Sequence, residues 1–211
     1  STMEEQLCRR YAKFKKNSED LNKDIFLRSL QDRNEILFYR FVLENVEETL
    51  PLVYTPTVGD ASINYSAIYN QQRGIYLSYS DRDKLEEVIN HIPQDHVDVI
   101  VVTDGSRILG LGDLGAGGIV IPVGKLCLYS VFGGIYPGTT LPIILDVGTN
   151  NKALIDDPLY VGLKNPRIEG KEYDKFIDQF IKAIHKRYPN VLLQWEDFSK
   201  DNAYRLLHRY R

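Results

Sequence analysis

Two cationic side chains flank a glycine-rich segment in the middle of the chain. Five glycines fall within nine residues, from Gly110 to Gly118, with Arg107 shortly before them and Lys125 shortly after. Because glycine has no side chain, a ligand or another stretch of backbone can approach such a segment closely. Two nearby cations then indicate an anionic small molecule, such as a carboxylate or a phosphate. The alternative, that both are ordinary surface charges, agrees with this segment equally well.

The same glycines match a dinucleotide-binding pattern. Gly110, Gly112 and Gly115 have the G-x-G-x-x-G spacing that holds a pyrophosphate at a helix N-terminus. That pattern also requires an acidic residue about 20 positions later to bind the ribose hydroxyl. Residues 134–136 include none, and the preceding strand is not the first of a β-α-β unit. We therefore do not expect this segment alone to bind a dinucleotide.

A pair of carboxylates, Glu196 and Asp197, follows a predicted strand over residues 191–195. Successive side chains of a strand point to opposite faces, so these two can converge on one ion only where the strand ends and the backbone turns. Adjacent carboxylates at such a place favour Mg²⁺ or Mn²⁺. In the alternative, Asp197 or Ser199 caps a helix over residues 200–210. The residues alone favour the cap, because two carboxylates do not complete an octahedral site.

Tyr54 lies in a proline-rich segment, residues 50–59. The two prolines and the glycine of this segment predict an extended stretch, with Thr57 or Asp60 capping the helix that follows. Such a frame would hold Tyr54 stiffly. The alternative is a core tyrosine with a satisfied hydroxyl, because the chain has 14 tyrosines and most tyrosines are structural.

The elements that position these residues are helices first and strands later. Residues 3–46 contain neither glycine nor proline, and their apolar residues form three helical stripes. After residue 72 strands and helices alternate. The predicted strands cover residues 75–77, 97–102, 141–148 and 191–195, with a further short strand over 106–109 after a turn at 104–105. Further helices are predicted over residues 80–92, opened by a capping box at Ser80 and Asp83, and over 119–132, 173–188 and 200–210.

This order of elements predicts an α/β fold, in which a helical N-terminal segment precedes a mainly parallel sheet flanked by helices. We expect a helical domain over residues 1–72 and an α/β domain over residues 73–211. Ligands of such sheets bind beyond the carboxyl ends of the strands. Arg107, Asp146 and the glycine-rich segment lie near predicted strand ends.

Composition excludes several classes of partner. The net charge is −3 and the isoelectric point about 5.8, so no basic field attracts nucleic acid or anionic lipid. The two cysteines, Cys8 and Cys127, are far apart and favour a reducing compartment, with the cytoplasm expected and mitochondria open. No uninterrupted apolar run reaches the roughly 18 residues of a membrane span, and no signal-peptide pattern is present.

Six short segments resemble the malic enzyme family in order and spacing. They are YTPTVG at residues 54–59, VVTDG at 101–105, RILG at 107–110, IPVGK at 121–125, DVGTNN at 146–151 and EDF at 196–198. The resemblance extends from about residue 21 to the last residue. It implies oxidation of L-malate at C2 by NAD or NADP, followed by decarboxylation of the bound oxaloacetate to pyruvate, with Mg²⁺ or Mn²⁺.

The resemblance also implies a role for five residues. Lys125 matches the lysine that takes the proton of the malate hydroxyl, and Tyr54 matches the tyrosine that protonates C3 of the enolpyruvate. Arg107 matches the arginine that binds a substrate carboxylate, and we expect it to contact the cofactor as well. Glu196 and Asp197 match two metal ligands, and the metal would polarise the C2 oxygen and stabilise the enolate.

The sequence departs from the family pattern in several places. A third metal ligand and a separate cofactor-binding domain, which the family has after the acidic pair, are not among these 211 residues. We therefore expect an amino-terminal portion that is inactive by itself. Ser106, Ile119, Val120 and Trp195 also replace residues that are frequent in the family.

The sequence also agrees with two other functions. One is malolactic enzyme, a relative that converts malate to lactate and keeps its cofactor bound. The other is a non-catalytic module that binds malate or mediates oligomerisation. In each case L-malate is the expected partner, nucleic acid and membranes are not, and a homo-oligomer, dimer or tetramer, is expected.

Overall fold

Residues 2–68 and 71–210 are described by the computed structural model, in which six helices precede the first strand. They are α1 (Met3–Phe14), α2 (Asp20–Arg33), α3 (Glu35–Glu44), α4 (Val46–Val53), α5 (Thr57–Ile63) and α6 (Tyr65–Ile68). The helix α1 begins with a capping box, in which the Thr2 hydroxyl accepts the Glu5 N–H and the Glu5 carboxylate accepts the Thr2 N–H. The first three helices bury an aromatic core of Phe14, Phe38 and Phe41. The predicted helical N-terminal segment is confirmed.

A four-stranded parallel sheet forms the rest of the scaffold. Its strands are β1 (Ile75–Ser78), β2 (Val99–Thr103), β3 (Thr140–Asp146) and β4 (Leu192–Trp195), in the order β1-β3-β2-β4. The helices between and after them are α7 (Leu85–Asn90), α8 (Val120–Gly133), α9 (Lys152–Asp156), α10 (Gly170–Arg187) and α11 (Lys200–Arg209). Short 3₁₀ turns cover Tyr79–Lys84, Gly115–Ile119 and Pro137–Thr139. The predicted α/β fold with a parallel sheet is confirmed.

Helices cover both faces of this sheet, which explains why every residue of β2 is buried. On one face α7 and α10 pack against Ile100 and Val102, with Phe176 and Phe180 of α10 fully buried. On the other face α8 packs against Val99 and Val101. The N-terminal helices pack behind α8. The helix α8 is thus the central layer between the sheet and the helical segment.

The expected extended stretch over residues 50–59 is wrong. Residues 50–53 form the second turn of α4, Pro51 lies inside that helix, and α5 follows with Pro56 as its N-cap residue. Pro51 costs the helix one backbone hydrogen bond. Burial of Leu52 and Val53 in the helical core offsets this cost. Tyr54 therefore lies on the short link between two helices.

Two smaller expectations are also wrong. Residues 106–109 form a turn rather than a strand, with a single antiparallel bridge between Ile108 and Gly112. Gly105 and Leu109 both have positive φ, so the backbone bends twice and cannot run extended. The helical stretch after β1 is capped at Ser78 rather than opened at Ser80, because the Ser78 hydroxyl accepts the Ser80 N–H.

One helical run in the described part of the chain, Gly115–Gly133, is long and apolar enough to cross a membrane. It combines a 3₁₀ turn with α8, and 61% of its most apolar window is buried inside the protein. Such burial is typical of a core helix, because a lipid-facing helix would expose its apolar residues.

Candidate active site

Lys125 is the one charged residue in the apolar run Gly115–Gly133. Its Nζ lies 2.9 Å from Oε1 of Glu196, and the two side chains are only 23% and 12% exposed. Glu196 directly follows β4, and its N–H still bonds to the Val102 carbonyl at 2.8 Å. The sheet therefore holds the carboxylate, and α8 holds the ammonium group against it. A half-buried lysine needs such a partner, because an unpaired charge there would be costly.

Tyr54 completes this cluster from the helical segment. Its ring centroid lies 5.1 Å from Lys125 Nζ, and its hydroxyl lies 3.5 Å from Glu196 Oε1. The position depends on Gly124, because a Cβ there would lie 2.6 Å from the Val53 carbonyl oxygen and 3.0 Å from Tyr54 Cδ2. The absence of a side chain thus lets α8 approach the end of α4 closely.

Asp197 lies where the backbone turns after β4, with φ of 52°. Its Oδ2 accepts the Leu109 N–H at 2.9 Å, and its carbonyl oxygen accepts the Arg107 N–H at 3.3 Å. Helix capping does not explain the residue, because Ser199 is the N-cap residue of α11 and makes no side-chain cap bond. The two hydrogen bonds instead fasten the acidic pair to the turn that follows β2.

The electrostatic environment differs for the three groups around Glu196. Burial alone would lower the pKa of Lys125, but hydrogen bonds to Tyr54 and Glu196 and the charge of Glu196 outweigh it and raise the pKa. Burial raises the pKa of Tyr54, although Lys125 opposes the shift. Burial also raises the pKa of Asp197, with the charge of Glu196 adding to the effect. The resting cluster therefore contains a protonated Lys125 and a neutral Tyr54.

The acidic pair fits a hard divalent cation in the type of its donors. Oε1 of Glu196 pairs with Lys125, and Oε2 accepts a hydrogen bond from Gln194 at 2.7 Å. Residues 2–68 and 71–210 contain no cluster of three or more His, Cys, Asp or Glu side chains that could hold a metal. These residues can therefore supply two ligands of an octahedral site, and the others must come from substrate, water or further protein.

Arg107 lies beside the acidic pair, but it makes a different kind of contact. Its backbone N–H binds Asp197, whereas its side chain is exposed and makes no hydrogen bond or ion pair within the described residues. The structure thus brings Tyr54, Lys125, Glu196 and Asp197 together, and it places the backbone of Arg107 beside Asp197 with the Arg107 side chain exposed.

A partly buried hydrogen-bond network that the sequence did not predict holds the glycine-rich segment. Arg167 donates two hydrogen bonds to the Asp113 carboxylate, at 2.7 and 2.8 Å, and a third to the Asp104 carbonyl at 2.8 Å. The Thr149 hydroxyl and the Asn150 N–H also bond to Asp113, at 2.9 and 2.8 Å. Loops after β2 and β3 are joined in this way. Arg167 lies in a loop without periodic pattern, so no sequence signal pairs it with Asp113.

A separate cavity of about 360 Å³ lies between α2 and the beginning of α8. Arg28, Asp24 and Val120 are among its lining residues, and the five predicted site residues are not. The candidate active site is therefore not this cavity, and it lies instead at the carboxyl ends of β2 and β4.

The chain is similar in sequence to one known protein family and to several bacterial enzymes. The family model for the malic enzyme N-terminal domain matches residues 31–211. The chain is 52% identical to NAD-dependent malic enzyme 2 of Vibrio vulnificus and to the NAD-dependent malic enzyme of Idiomarina loihiensis, and 53% identical to that of Shewanella denitrificans. Each alignment covers 100% of this chain, but only 38%, 37% and 37% of the respective relative.

Substitution of Gly124 by alanine tests the close approach of α8 to Tyr54. The new Cβ would meet a backbone oxygen that cannot move without shifting α4. We expect Gly124→Ala to lower the free energy of unfolding in urea by about 1–3 kcal/mol. In Gly110→Ala, the matched control, the Cβ meets nothing within 4 Å, and we expect a change within about 0.5 kcal/mol. Equal losses in both variants would contradict the requirement for close approach.

Acid titration tests the Asp113–Arg167 pair. Burial would raise the pKa of Asp113, but the Arg167 hydrogen bonds and charge outweigh it and hold the pKa below its usual range. Ionised Asp113 then stabilises the fold above the unfolded-state pKa of about 4, and this stabilisation is lost as the pH falls through the lower folded-state pKa.

We therefore expect Asp113→Asn to cost about 3 kcal/mol of unfolding free energy at pH 7. The difference from the unsubstituted protein should shrink below a pH of about 4. Urea unfolding across this pH range measures it, with the exposed Asp83→Asn as control. A loss that stays constant down to the most acidic pH would show that charge pairing is not its cause.

Proposed function

The chain belongs to the malic enzyme family, as its six segments predicted, and we propose that it binds malate and a metal ion in a longer enzyme that oxidatively decarboxylates L-malate to pyruvate and CO₂. Because the chain spans about 38% of the length of the first relative, the reaction is assigned to that longer protein, called here the full-length protein. We expect the 211-residue chain to be inactive by itself.

The convergence of Tyr54, Lys125 and Glu196 is the observation that carries this proposal. These residues come from a helix link, a helix and the end of a strand, and 142 positions separate Tyr54 from Glu196. Core packing gives no reason to gather a phenol, an ammonium group and a carboxylate on one half-buried surface. Acid–base chemistry on one small substrate does give a reason.

Two proton transfers are assigned to this chain. Lys125 in its neutral form takes the proton of the C2 hydroxyl as C2 gives up a hydride to the nicotinamide cofactor, and Tyr54 gives a proton to C3 after CO₂ has left. The resting ion pair with Glu196 opposes the first transfer, because Lys125 must lose a proton before it can act as a base. Binding of substrate and metal must therefore weaken the hold of Glu196 on the Lys125 proton.

The remaining site residues hold the reactants. The guanidinium of Arg107, which is exposed, would bind a malate carboxylate through two parallel hydrogen bonds, and we expect it to contact the cofactor as well. Glu196 and Asp197 would hold Mg²⁺ or Mn²⁺, and the ion would supply the positive charge that polarises the C2 oxygen. The names of the relatives favour NAD over NADP as the cofactor.

The wider organisation follows the same proposal. The division into a helical domain over residues 1–72 and an α/β domain over residues 73–211 stays a prediction, and α8 packs against both parts. We propose that the outer faces of the N-terminal helices form a homo-oligomer, which light scattering of the full-length protein would detect. A cytoplasmic location also stays a prediction.

Activity assays of two chain lengths test the function. The full-length protein with L-malate, NAD and Mn²⁺ should produce NADH and pyruvate in equal amounts, and the 211-residue chain should produce neither. Lactate without net NADH would instead indicate the malolactic reaction. Malate binding without any turnover by the full-length protein would indicate the non-catalytic module. Full turnover by the 211-residue chain would refute the proposal that this chain needs the rest of the full-length protein for activity.

Substitution of Lys125 tests its role as the base. In the full-length protein we expect Lys125→Ala to reduce kcat by about 10²–10⁴-fold, with a smaller effect on KM for malate, as the loss of a general base does. Lys175→Ala removes an exposed lysine of α10 and serves as the control. An unchanged kcat in Lys125→Ala would remove Lys125 from the proposed chemistry.

A further inference from the structure

A second hydrogen-bonded pair lies directly behind Glu196. The Gln194 side chain donates through Nε2 to Glu196 Oε2 at 2.7 Å, and its Oε1 accepts a hydrogen bond from the Tyr129 hydroxyl. Neither Gln194 nor Tyr129 belongs to the site predicted from the sequence. These two hydrogen bonds connect Tyr129, through Gln194, to Glu196. They link an apolar part of α8 to the edge of the acidic pair.

The backbone of α8 and of β4 places these side chains in two neighbouring pairs. Lys125 and Tyr129 are four residues apart on α8 and so lie one turn apart on the same face. Gln194 and Glu196 are two residues apart at the end of β4 and so point to the same face of the sheet. Lys125 pairs with Glu196, and one helical turn further along α8 Tyr129 pairs with Gln194.

Apolar packing holds the pair of Tyr129 and Gln194 in place. Tyr129 packs against a buried cluster of Val99, Val101 and Leu126, and Val101 is the neighbour of Gln194 in the sheet. The direction of the amide also follows, because an ionised carboxylate can only accept hydrogen bonds. The NH₂ group must therefore face Glu196, which leaves the amide oxygen for the Tyr129 hydroxyl.

We propose that Gln194, held by Tyr129, is a positioning residue that orients the Glu196 carboxylate for a divalent cation. This inference rests on the proposed function, because it assumes that Glu196 is a metal ligand. With Oε2 bound to a neutral donor, the carboxylate has one fixed orientation, and Oε1 is directed toward Lys125 and Tyr54. The cation then meets a preformed ligand and does not have to order it.

Manganese binding to the full-length protein, measured by the electron paramagnetic resonance signal of free Mn²⁺ without malate or NAD, tests the proposal. Gln194→Met keeps the side-chain length and removes the donor, and we expect it to weaken Mn²⁺ binding about 10–100-fold. Tyr129→Phe removes only a hydroxyl and should weaken binding in the same direction by a smaller factor. Unchanged Mn²⁺ affinity in Gln194→Met would overturn the inference.

The double variant separates positioning from general damage. Because Tyr129 acts through Gln194, Tyr129→Phe added to Gln194→Met should weaken Mn²⁺ binding no further. If the loss of Mn²⁺ affinity in the double variant is instead the product of the two single losses, Tyr129 does not act through Gln194 and the proposal is overturned. Tyr136→Phe alters a tyrosine that is 71% exposed and should leave the affinity unchanged. Thermal unfolding of each variant shows whether the fold is kept, and Tyr129→Phe provides the test if Gln194→Met does not fold.

Substitution of the ligand itself distinguishes this inference from the proposed function. Glu196→Gln should abolish tight Mn²⁺ binding. If Glu196→Gln binds Mn²⁺ as the unsubstituted protein does, both the metal site and its positioning residue are refuted. If Glu196→Gln loses binding while Gln194→Met retains it in full, only the role of Gln194 is refuted.

Discussion

The ion pair between Lys125 and Glu196 is the contact on which the arrangement of the site depends. It joins the central helix α8 to the end of β4, with 2.9 Å between Nζ and Oε1. Lysine in an otherwise apolar helix is expensive to bury, and a half-buried ion pair contributes little net stability compared with apolar residues of similar size. Its presence therefore indicates a use other than folding. The fold places the Tyr54 phenol and the Asp197 carboxylate beside the pair, with the backbone of the exposed Arg107 next to Asp197.

The parallel sheet explains why these groups meet. Because all four strands run in one direction, the carboxyl ends of β2 and β4 lie at the same edge, and the turn after β2 can bind Asp197. The glycine-rich segment then leads into α8, and Gly124 lets that helix approach the end of α4. The N-terminal helical segment thus contributes a residue to the site, because Tyr54 lies on the link between α4 and α5. The Asp113–Arg167 pair joins the loop after β2 to the loop after β3.

The sequence predicted the scaffold better than the site geometry. Runs of β-branched residues and the apolar stripe of α10 are local signals, and they were sufficient for the strands and long helices. Pro51 misled the prediction, because burial of its neighbours outweighed a lost hydrogen bond. No local pattern could pair Lys125 with Glu196, which lie 71 positions apart. Only the order of the six segments brought these residues together in advance. Gln194 and Arg167 gave no signal, because their importance comes from partners that are distant in the chain.

In the proposed function, Tyr54, Lys125 and Glu196 surround one malate molecule beside a metal ion. Nuclear relaxation of malate protons in the presence of the full-length protein and Mn²⁺ tests this most directly, because relaxation by the paramagnetic ion falls steeply with distance. We expect strong relaxation that disappears in Glu196→Gln. Malate that binds to the protein but whose protons are not relaxed by bound Mn²⁺ would contradict it.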